Sequence, residues 1–412
     1  GRRHRMLRRA AALRRFSSVP SRAWHVAVVG SGPAAFYAAA HLLKNDPDVH
    51  VDLFEQLPVP FGLVRFGVAP DHQDVKNVTE RFEQIERESG GRCSFWGNVH
   101  VGAPHAARPE QASLRLEELQ EHYSAVVLAY GASAHRGLGV PGEEVEGVHA
   151  ARQLVEWYNG HPHATKASFD LAGCETALIV GGGNVALDCA RMLTKSVDEL
   201  ARHDVTDYAL AALSRSTVRE VVLLGRRGVL QAAFTIKELR DLTKLAGVAC
   251  TVEAPPDAFN AAVLAAAKRA RPRARLLDLM KSNHLPYPAS EEAAAAEAAE
   301  GRGEQRRLRI QFQRRPSAFE ADAQGRLCRV AVEATALEAG EPSREQRAVD
   351  VPGSTRHVSA QLALLSVGYR STPLEGAPFD AARGVIPNAG GRVEGGAPWG
   401  GGGAGGGAGG GG

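Results

Sequence analysis

Cysteine is scarce in this chain. Cys93, Cys174, Cys189, Cys250 and Cys328 are scattered and odd in number, and no CxxC occurs. That argues against a disulfide framework, a zinc site or a dithiol redox centre, and it fits a reducing compartment. A run of about 18 apolar residues is also missing, so no membrane-spanning helix is legible. Net charge is only +3, and charged residues make up 23% of the chain. That balance does not point to nucleic acid. No acid precedes Asp46, whereas residues 1–23 hold eight arginines. An Arg-rich, Ser-containing, acid-free leader predicts a mitochondrial transit peptide over 1–23; the alternative is a basic arm touching nucleic acid or lipid. At the other end, residues 395–412 are almost all glycine. They offer no side chains to bury, and they predict a disordered tail.

What is present points to two domains, as the length of 412 residues also suggests. "WHVAVVG" is a buried-strand pattern, "GSGPAA" a turn and "FYAAAHLLKN" a helix. This is the G-x-G-x-x-G/A turn of a dinucleotide-binding unit. Gly30 makes the tight bend, Gly32 lets a pyrophosphate approach, and Ala35 lets helix and strand pack closely. Glu55 closes the next strand. A carboxylate there accepts bonds from ribose hydroxyls and repels a 2′-phosphate, so the site should hold FAD or NAD. The structural alternative is a plain βαβ turn.

"ETALIVGGGNVALDCARML" repeats this logic with Gly181, Gly183 and Ala186. The strand that follows, "EVVLLGRRG", ends on Arg226 and Arg227 instead of an acid. Guanidinium groups in that place bind a 2′-phosphate, so this site should prefer NADP; the alternative is a basic strand end facing solvent. The span between Gly183 and Arg226 is long, and "TKSVDELARHDVTDYALAALSRS" reads as a helical insertion. Two such sites in one chain imply a flavoprotein that takes hydride from NADPH. The loop "LPVPFGLVRFGVAP" is stiffened by prolines 58, 60 and 70, which predict no regular helix or central strand. It is apolar enough to cover an isoalloxazine ring, or to pack only on protein.

The pieces "VVGSGPAAFYAAAHLL", "VDLFEQLPVPFGLVRFGVAPDHQDVKNV", "GGGNVALDCAR", "LLGRRG", "QAAFTIKELR" and "SVGYRS" occur in this order. From about residue 24 to about 393 the chain resembles the adrenodoxin-type ferredoxin–NADP reductases. The resemblance implies an α/β protein of two Rossmann-type dinucleotide-binding domains, the NADP domain inserted into a discontinuous FAD domain. The boundaries expected are 24–131 and 370–394 for FAD and 132–369 for NADP. It implies FAD contacts at Ala34, Glu55, Leu63 and Val99. It implies NADP contacts at Gly182, Gly183, Asn184 and Val185, at Arg226 and Arg227, and at Glu238. The turn reads GGGN where the family has Gln before the last glycine; Gly182 leaves the backbone donors intact.

The family passes electrons from NADPH, through FAD, one at a time to a small acidic [2Fe–2S] ferredoxin that serves mitochondrial haem monooxygenases and iron–sulfur cluster assembly. The resemblance turns Lys268, Arg269, Arg271, Arg273 and Arg275 into the expected ferredoxin dock; otherwise they are a solvated basic turn. No catalytic side chain and no metal are expected, since the flavin carries the chemistry. His72 reads either as a proton relay or as a structural hydrogen-bonding residue. The expected state is a monomer in the mitochondrial matrix, peripheral at the inner membrane. One departure stands out. After "GVIPNAGGRV" the family continues into a Gly-Trp and Gly-Pro segment beside the flavin, and here "EGGAPWGGGG" stands instead. That predicts weaker FAD binding with NADP binding retained. Two other readings remain: a chain that binds NADP and ferredoxin without flavin chemistry, and a relative of the electron-input subunit of glutamate synthase. The second would need a cysteine-rich segment before Cys93, and none is present.

Overall fold

The computed structural model describes residues 23–104, 108–164, 169–287 and 305–395. The expected leader, apart from its last residue, and the glycine tail from residue 396 onward lie outside the described residues. The chain forms two compact units. The first comprises residues 23–68, His72–Ala134 and 369–395; the second comprises Ala69–Asp71 and His135–Gly368.

In the first unit, β1 (His25–Val29), β2 (His50–Phe54), β3 (Cys93–Trp96) and β4 (Ala125–Leu128) make a parallel sheet in the order β3-β2-β1-β4. Four successive residues of β1 and of β2 are buried. Runs buried residue after residue, apolar in β1 and apolar but for Asp52 in β2, belong to strands covered on both faces. Helices α1 (Pro33–Asn45) and α2 (Val78–Glu88) supply one cover, where Phe36 stacks on Phe82 with ring centroids 4.8 Å apart.

The proline-rich loop corrects one expectation. A short helix does form, at Gly62–Phe66, because those five residues fit entirely between Pro60 and Pro70. Phe61 launches it from the left-handed region, at φ +85°. Packing holds that strained conformation: the Phe61 amide donates to the Ser31 carbonyl at 2.9 Å, and its ring lies 5.4 Å from that of Phe36. Leu57, Val64 and Phe66 are buried as well, whereas Leu63 is 59% exposed. The loop thus packs mainly on protein and turns one large apolar side chain outward.

Opposite α1, the buried carboxylate of Asp52 is held by three donors. His25 Nε2 lies at 2.8 Å, Trp96 Nε1 donates at 3.0 Å, and the Tyr123 hydroxyl donates at 2.7 Å. Burial alone pushes the Asp52 pKa up; the three hydrogen bonds and the nearby His25 outweigh it, and the net direction is down. A carboxylate depressed by folding adds stability above its unfolded pKa of about 3.9 and loses it as pH falls through the lower folded value. Tyr123→Phe removes one donor and raises that folded value. Its acid unfolding is therefore expected to begin at higher pH than in the parent, readable in tryptophan fluorescence through Trp96. Coincident acid transitions would show that Asp52 is not held in this way.

The second unit contains β5 (Val148–Ala150), β6 (Thr176–Val180), β7 (Glu220–Gly225), β8 (Val248–Ala254), β9 (His284–Pro286) and β10 (Arg306–Phe312). Then come β11 (Arg314–Ala321), β12 (Leu327–Leu337), β13 (Ala348–Asp350), β14 (Arg356–Ser359) and β15 (Leu362–Leu365). Seven of these make one parallel sheet, in the order β9-β8-β10-β7-β6-β15-β5. Its first face is covered by helices, including α3 (Asn184–Thr194), α4 (Ile236–Thr243), α5 (Ala261–Lys268) and α6 (Arg271–Ser282). The second face carries an antiparallel sheet of β11 to β14, whose Phe319, Leu327, Val330 and Val332 pack on Leu178, Val180, Val222 and Leu224. The helical insertion after α3 is present as Val197–Leu200 and Asp207–Ser214.

A buried ion-pair network ties Ala69–Asp71 into this unit. Arg191 on α3 grips Asp71 through two bonds, Nε to Oδ2 at 2.7 Å and Nη2 to Oδ1 at 2.9 Å, and reaches Asp188 Oδ1 at 2.8 Å. Lys195 adds a contact to Asp71 at 3.3 Å. The Arg191 and Asp71 side chains are only 2% and 3% exposed. Burial pulls the Arg191 pKa down, but Asp71 and Asp188 more than offset it, so the guanidinium stays charged.

Candidate functional site

The first glycine turn joins β1 to α1. Gly30 has φ +106°, and a Cβ there would lie 2.5 Å from the Ala129 carbonyl oxygen. Only glycine allows that turn. Gly32 is the N-cap of α1, with open space where a Cβ would point. The helix has no side-chain cap and no acid in its first turn. Its unpaired N–H groups therefore remain free to meet an anion. Ala34 is exposed in that first turn, and Ala35 is fully buried against the sheet.

Glu55 is buried at the end of β2 and braces this turn. Its Oε2 accepts from the Ser31 amide at 3.1 Å and the Ser31 hydroxyl at 2.7 Å; Oε1 accepts from the Leu57 amide at 2.9 Å. An ionised carboxylate has about four lone-pair sites, so about one is left for a ribose hydroxyl. The Val99 amide donates to the Glu55 carbonyl at 2.8 Å. Glu55 and Val99 are thus brought together beside the turn, and the exposed Leu63 lies on the helix that follows Phe61.

The second turn joins β6 to α3. Gly181 has φ +129°, and a Cβ there would overlap the Ser366 carbonyl, whereas Gly182 and Gly183 face open space. Helix α3 again begins without a side-chain cap or an acid in its first turn. Asn184 Oδ1 accepts from the Thr235 amide at 3.1 Å, fastening the turn to the start of α4. There the Thr235 hydroxyl donates to the Glu238 carboxylate. Val185 is half-buried in the first turn of α3.

Over this turn lies a cavity of about 540 Å³. Its wall carries Arg136, Arg226, Arg227, Arg314 and Arg315, and no acidic side chain is among its described lining residues. The floor is Gly181, Gly182 and Gly183. A helix N-terminus, a bare glycine backbone and clustered guanidinium groups together form a site for a phosphorylated dinucleotide.

The family described as pyridine nucleotide-disulphide oxidoreductase matches residues 24–262. A mitochondrial NADPH:adrenodoxin oxidoreductase of Salvelinus fontinalis is 45% identical over 379 residues, which is 92% of this chain and 72% of that relative. The Homo sapiens protein of the same name is also 45% identical, over 89% of this chain and 71% of its own length. Among solved structures, Mycobacterium tuberculosis FprA in complex with NADPH superimposes with a TM-score of 0.79 at 39% identity, covering 91% of this chain and 77% of that one.

The chain belongs to the adrenodoxin reductase family.

As an adrenodoxin reductase family member it is a flavin-dependent oxidoreductase that uses FAD and NADP(H). Both glycine turns fit the diphosphates of those cofactors. The first, acid-braced turn suits FAD; the second opens into the arginine-walled cavity and suits NADP(H). Arg136, Arg314 and Arg315 were not singled out from the sequence. A signal for two of them was present: "RIQFQRR" is an apolar strand ending in paired arginines, just as "VVLLGRR" is. The basic run divides. Lys268, Arg269, Arg271 and Arg275 are exposed. Arg273 turns inward and donates to the Ala232 carbonyl at 2.7 Å, and burial, with Arg344 nearby, lowers its pKa.

Glu55→Gln tests the brace. The amide would set an N–H group against the Ser31 donors, and a buried donor left unmade costs about 1–3 kcal/mol. FAD is expected to bind roughly 5- to 150-fold more weakly, by titration of apo-protein with flavin. An unchanged Kd would show that the turn holds its shape without Glu55.

Proposed function

We propose that this protein is an NADPH:ferredoxin oxidoreductase of mitochondria. The acid-free, arginine-walled cavity over the second glycine turn carries this reading, because it selects a nucleotide with an extra phosphate. Hydride acceptance and the release of single electrons are chemistry that bound FAD supplies. The chain's own part is to bind and align. Gly30, Gly32 and Ala34 admit the FAD diphosphate, Ala35 lets α1 pack close to the sheet, Glu55 orients the ribose, and Leu63 and Val99 border the cofactor. Gly181 to Val185 receive the NADP(H) diphosphate, Arg226 and Arg227 its 2′-phosphate, and Glu238 borders that site. The relatives' mitochondrial names and the arginine-rich first residues support the location.

The partner is an acidic [2Fe–2S] ferredoxin, and Lys268, Arg269, Arg271 and Arg275 are its dock, with the protein monomeric in the matrix and peripheral at the inner membrane. Their exposure and single charge sign support this. Charge of that kind acts mainly on encounter rate. Reversing all four to Glu is expected to cut the association rate with ferredoxin by about 10-fold or more at low salt and to flatten its salt dependence. NADPH oxidation with a small neutral acceptor should stay unchanged. Equal loss with both acceptors would remove the dock from this face.

The deciding experiment is to measure flavin absorbance near ~450 nm in the purified protein, then reduction of a [2Fe–2S] ferredoxin with NADPH and with NADH. Flavin retention with NADPH-preferring ferredoxin reduction supports the reading. Bound flavin without ferredoxin reduction overturns it.

A further inference from the structure

Arg314 lies where β10 passes into β11. Gln313, with φ +56°, makes the bend between them. The Arg314 guanidinium lies over the Tyr287 ring, 4.0 Å from its centroid. The ring is itself anchored, since the Tyr287 hydroxyl donates to the Phe312 carbonyl. One face of the guanidinium is therefore covered, and its one hydrogen bond among the described residues runs from Nη1 to the neighbouring Gln313 carbonyl at 3.0 Å. Among the described residues no carboxylate pairs with Arg314. Arg315, beside it, is neutralised by Glu333 at 2.7 Å and Asp350 at 2.6 Å.

Backbone bonds fix Arg314 next to the paired arginines of β7. The Gln313 amide donates to the Arg227 carbonyl at 3.1 Å. The Thr335 hydroxyl donates to the Arg226 carbonyl at 2.6 Å, and the Thr335 amide donates to the Gln313 carbonyl at 3.0 Å. Three guanidinium-bearing residues thus share one rim of the cavity, held by strand ends and not by a free loop. Burial, joined by the Arg356 charge, presses the Arg314 pKa down and outweighs the opposing pull of Tyr287 and the Glu253 carboxylate. A half-buried cation with no carboxylate at ion-pair distance is costly unless an anion completes it.

We propose that Arg314 is a third cation of the phosphate subsite, binding the nucleotide's 2′-phosphate together with Arg226 and Arg227. The inference rests on the reading of this cavity as the NADP(H) site and names a specificity-determining residue within it. Tyr287 is a positioning residue: its ring fixes the guanidinium so that its edge meets the phosphate oxygens. A phosphate monoester has three oxygens able to accept charge-assisted bonds, which is enough for three donors.

The test is calorimetric titration of the full-length holoprotein with adenosine 2′,5′-bisphosphate and with 5′-ADP. Arg314→Gln is expected to weaken the bisphosphate by about 10-fold or more and 5′-ADP by less than about twofold. Arg314→Lys should fall between parent and Gln, because it keeps the charge and loses the planar fork. Tyr287→Leu should also weaken only the bisphosphate, and it reads the same subsite if Arg314→Gln does not fold. Equal weakening of both ligands would assign Arg314 to the adenine or to the fold and overturn the proposal; no weakening would overturn it too. Arg226→Gln with Arg227→Gln is the control. If that pair discriminates the two ligands and the Arg314 variants do not, this inference alone fails. If neither does, the cavity is not the NADP(H) site.

Discussion

Replacing Arg226 and Arg227 together with Gln is expected to raise the NADPH KM by roughly 100-fold while leaving NADH kinetics nearly unchanged. Each charge-assisted bond to a phosphate is worth about 1.5–3 kcal/mol, and about 1.4 kcal/mol is a factor of ten. Two such bonds, allowing for coupling between neighbours, give about two powers of ten. The structure favours a selective effect for a further reason. Arg226 is exposed at the end of β7, and Arg227 makes only a 3.2 Å bond to the Arg344 carbonyl, so neither holds the fold together through its side chain. Steady-state kinetics with both nucleotides reads the result. Equal loss with NADPH and NADH would mean that the pair binds the shared part of the dinucleotide.

The second large effect is on stability. Asp71→Ala leaves the Arg191 guanidinium buried with Asp188 as its remaining acid partner among the described residues. Breaking a buried ion pair from one side costs about 3–5 kcal/mol, a large share of the ordinary stability of about 5–15 kcal/mol. Urea unfolding of the variant should show that loss in its midpoint at unchanged slope. Arg191 also lies on α3, whose first turn is the proposed NADP(H) turn, so NADP affinity should fall with stability. A loss below about 1 kcal/mol would place the pair among weak, water-exposed contacts.

The two glycine turns were legible in the sequence because their chemistry is local. Gly30 and Gly181 each sit between an apolar strand and a helix, and each needs a positive φ that glycine supplies. The positions of Glu55, Arg226 and Arg227 beside the glycine turns were legible because a Rossmann unit brings the end of its second strand next to that turn. The brace from Glu55 to Ser31 was not, since it depends on side-chain geometry across 24 residues. Arg191 and Asp71 are 120 positions apart, and no local pattern announces a buried pair at that separation. The Gly62–Phe66 helix escaped because prolines were read as excluding helix throughout, when they limit only the turns they occupy. The antiparallel sheet over the second unit was missed for a related reason: its strands carry arginine and Pro316, and they bury apolar residues on one face only.

Strand β15 has a consequence for how the chain is made. It lies between β6 and β5, with Leu362 to Leu365 opposite Ala177 to Val180 on one side and Ala363 to Leu365 opposite Val148 to Ala150 on the other. Two strands that leave the ribosome early therefore have no pairing with each other. Each must wait for a segment made much later, after the helical layer and the whole antiparallel sheet. Meanwhile β6 offers the bare edge of an apolar strand, a template for the wrong partner. Pairing across so long a separation is slow. The glycine turn at the end of β6 is likewise completed late, because the Ser366 carbonyl that lies against Gly181 follows β15 in the chain.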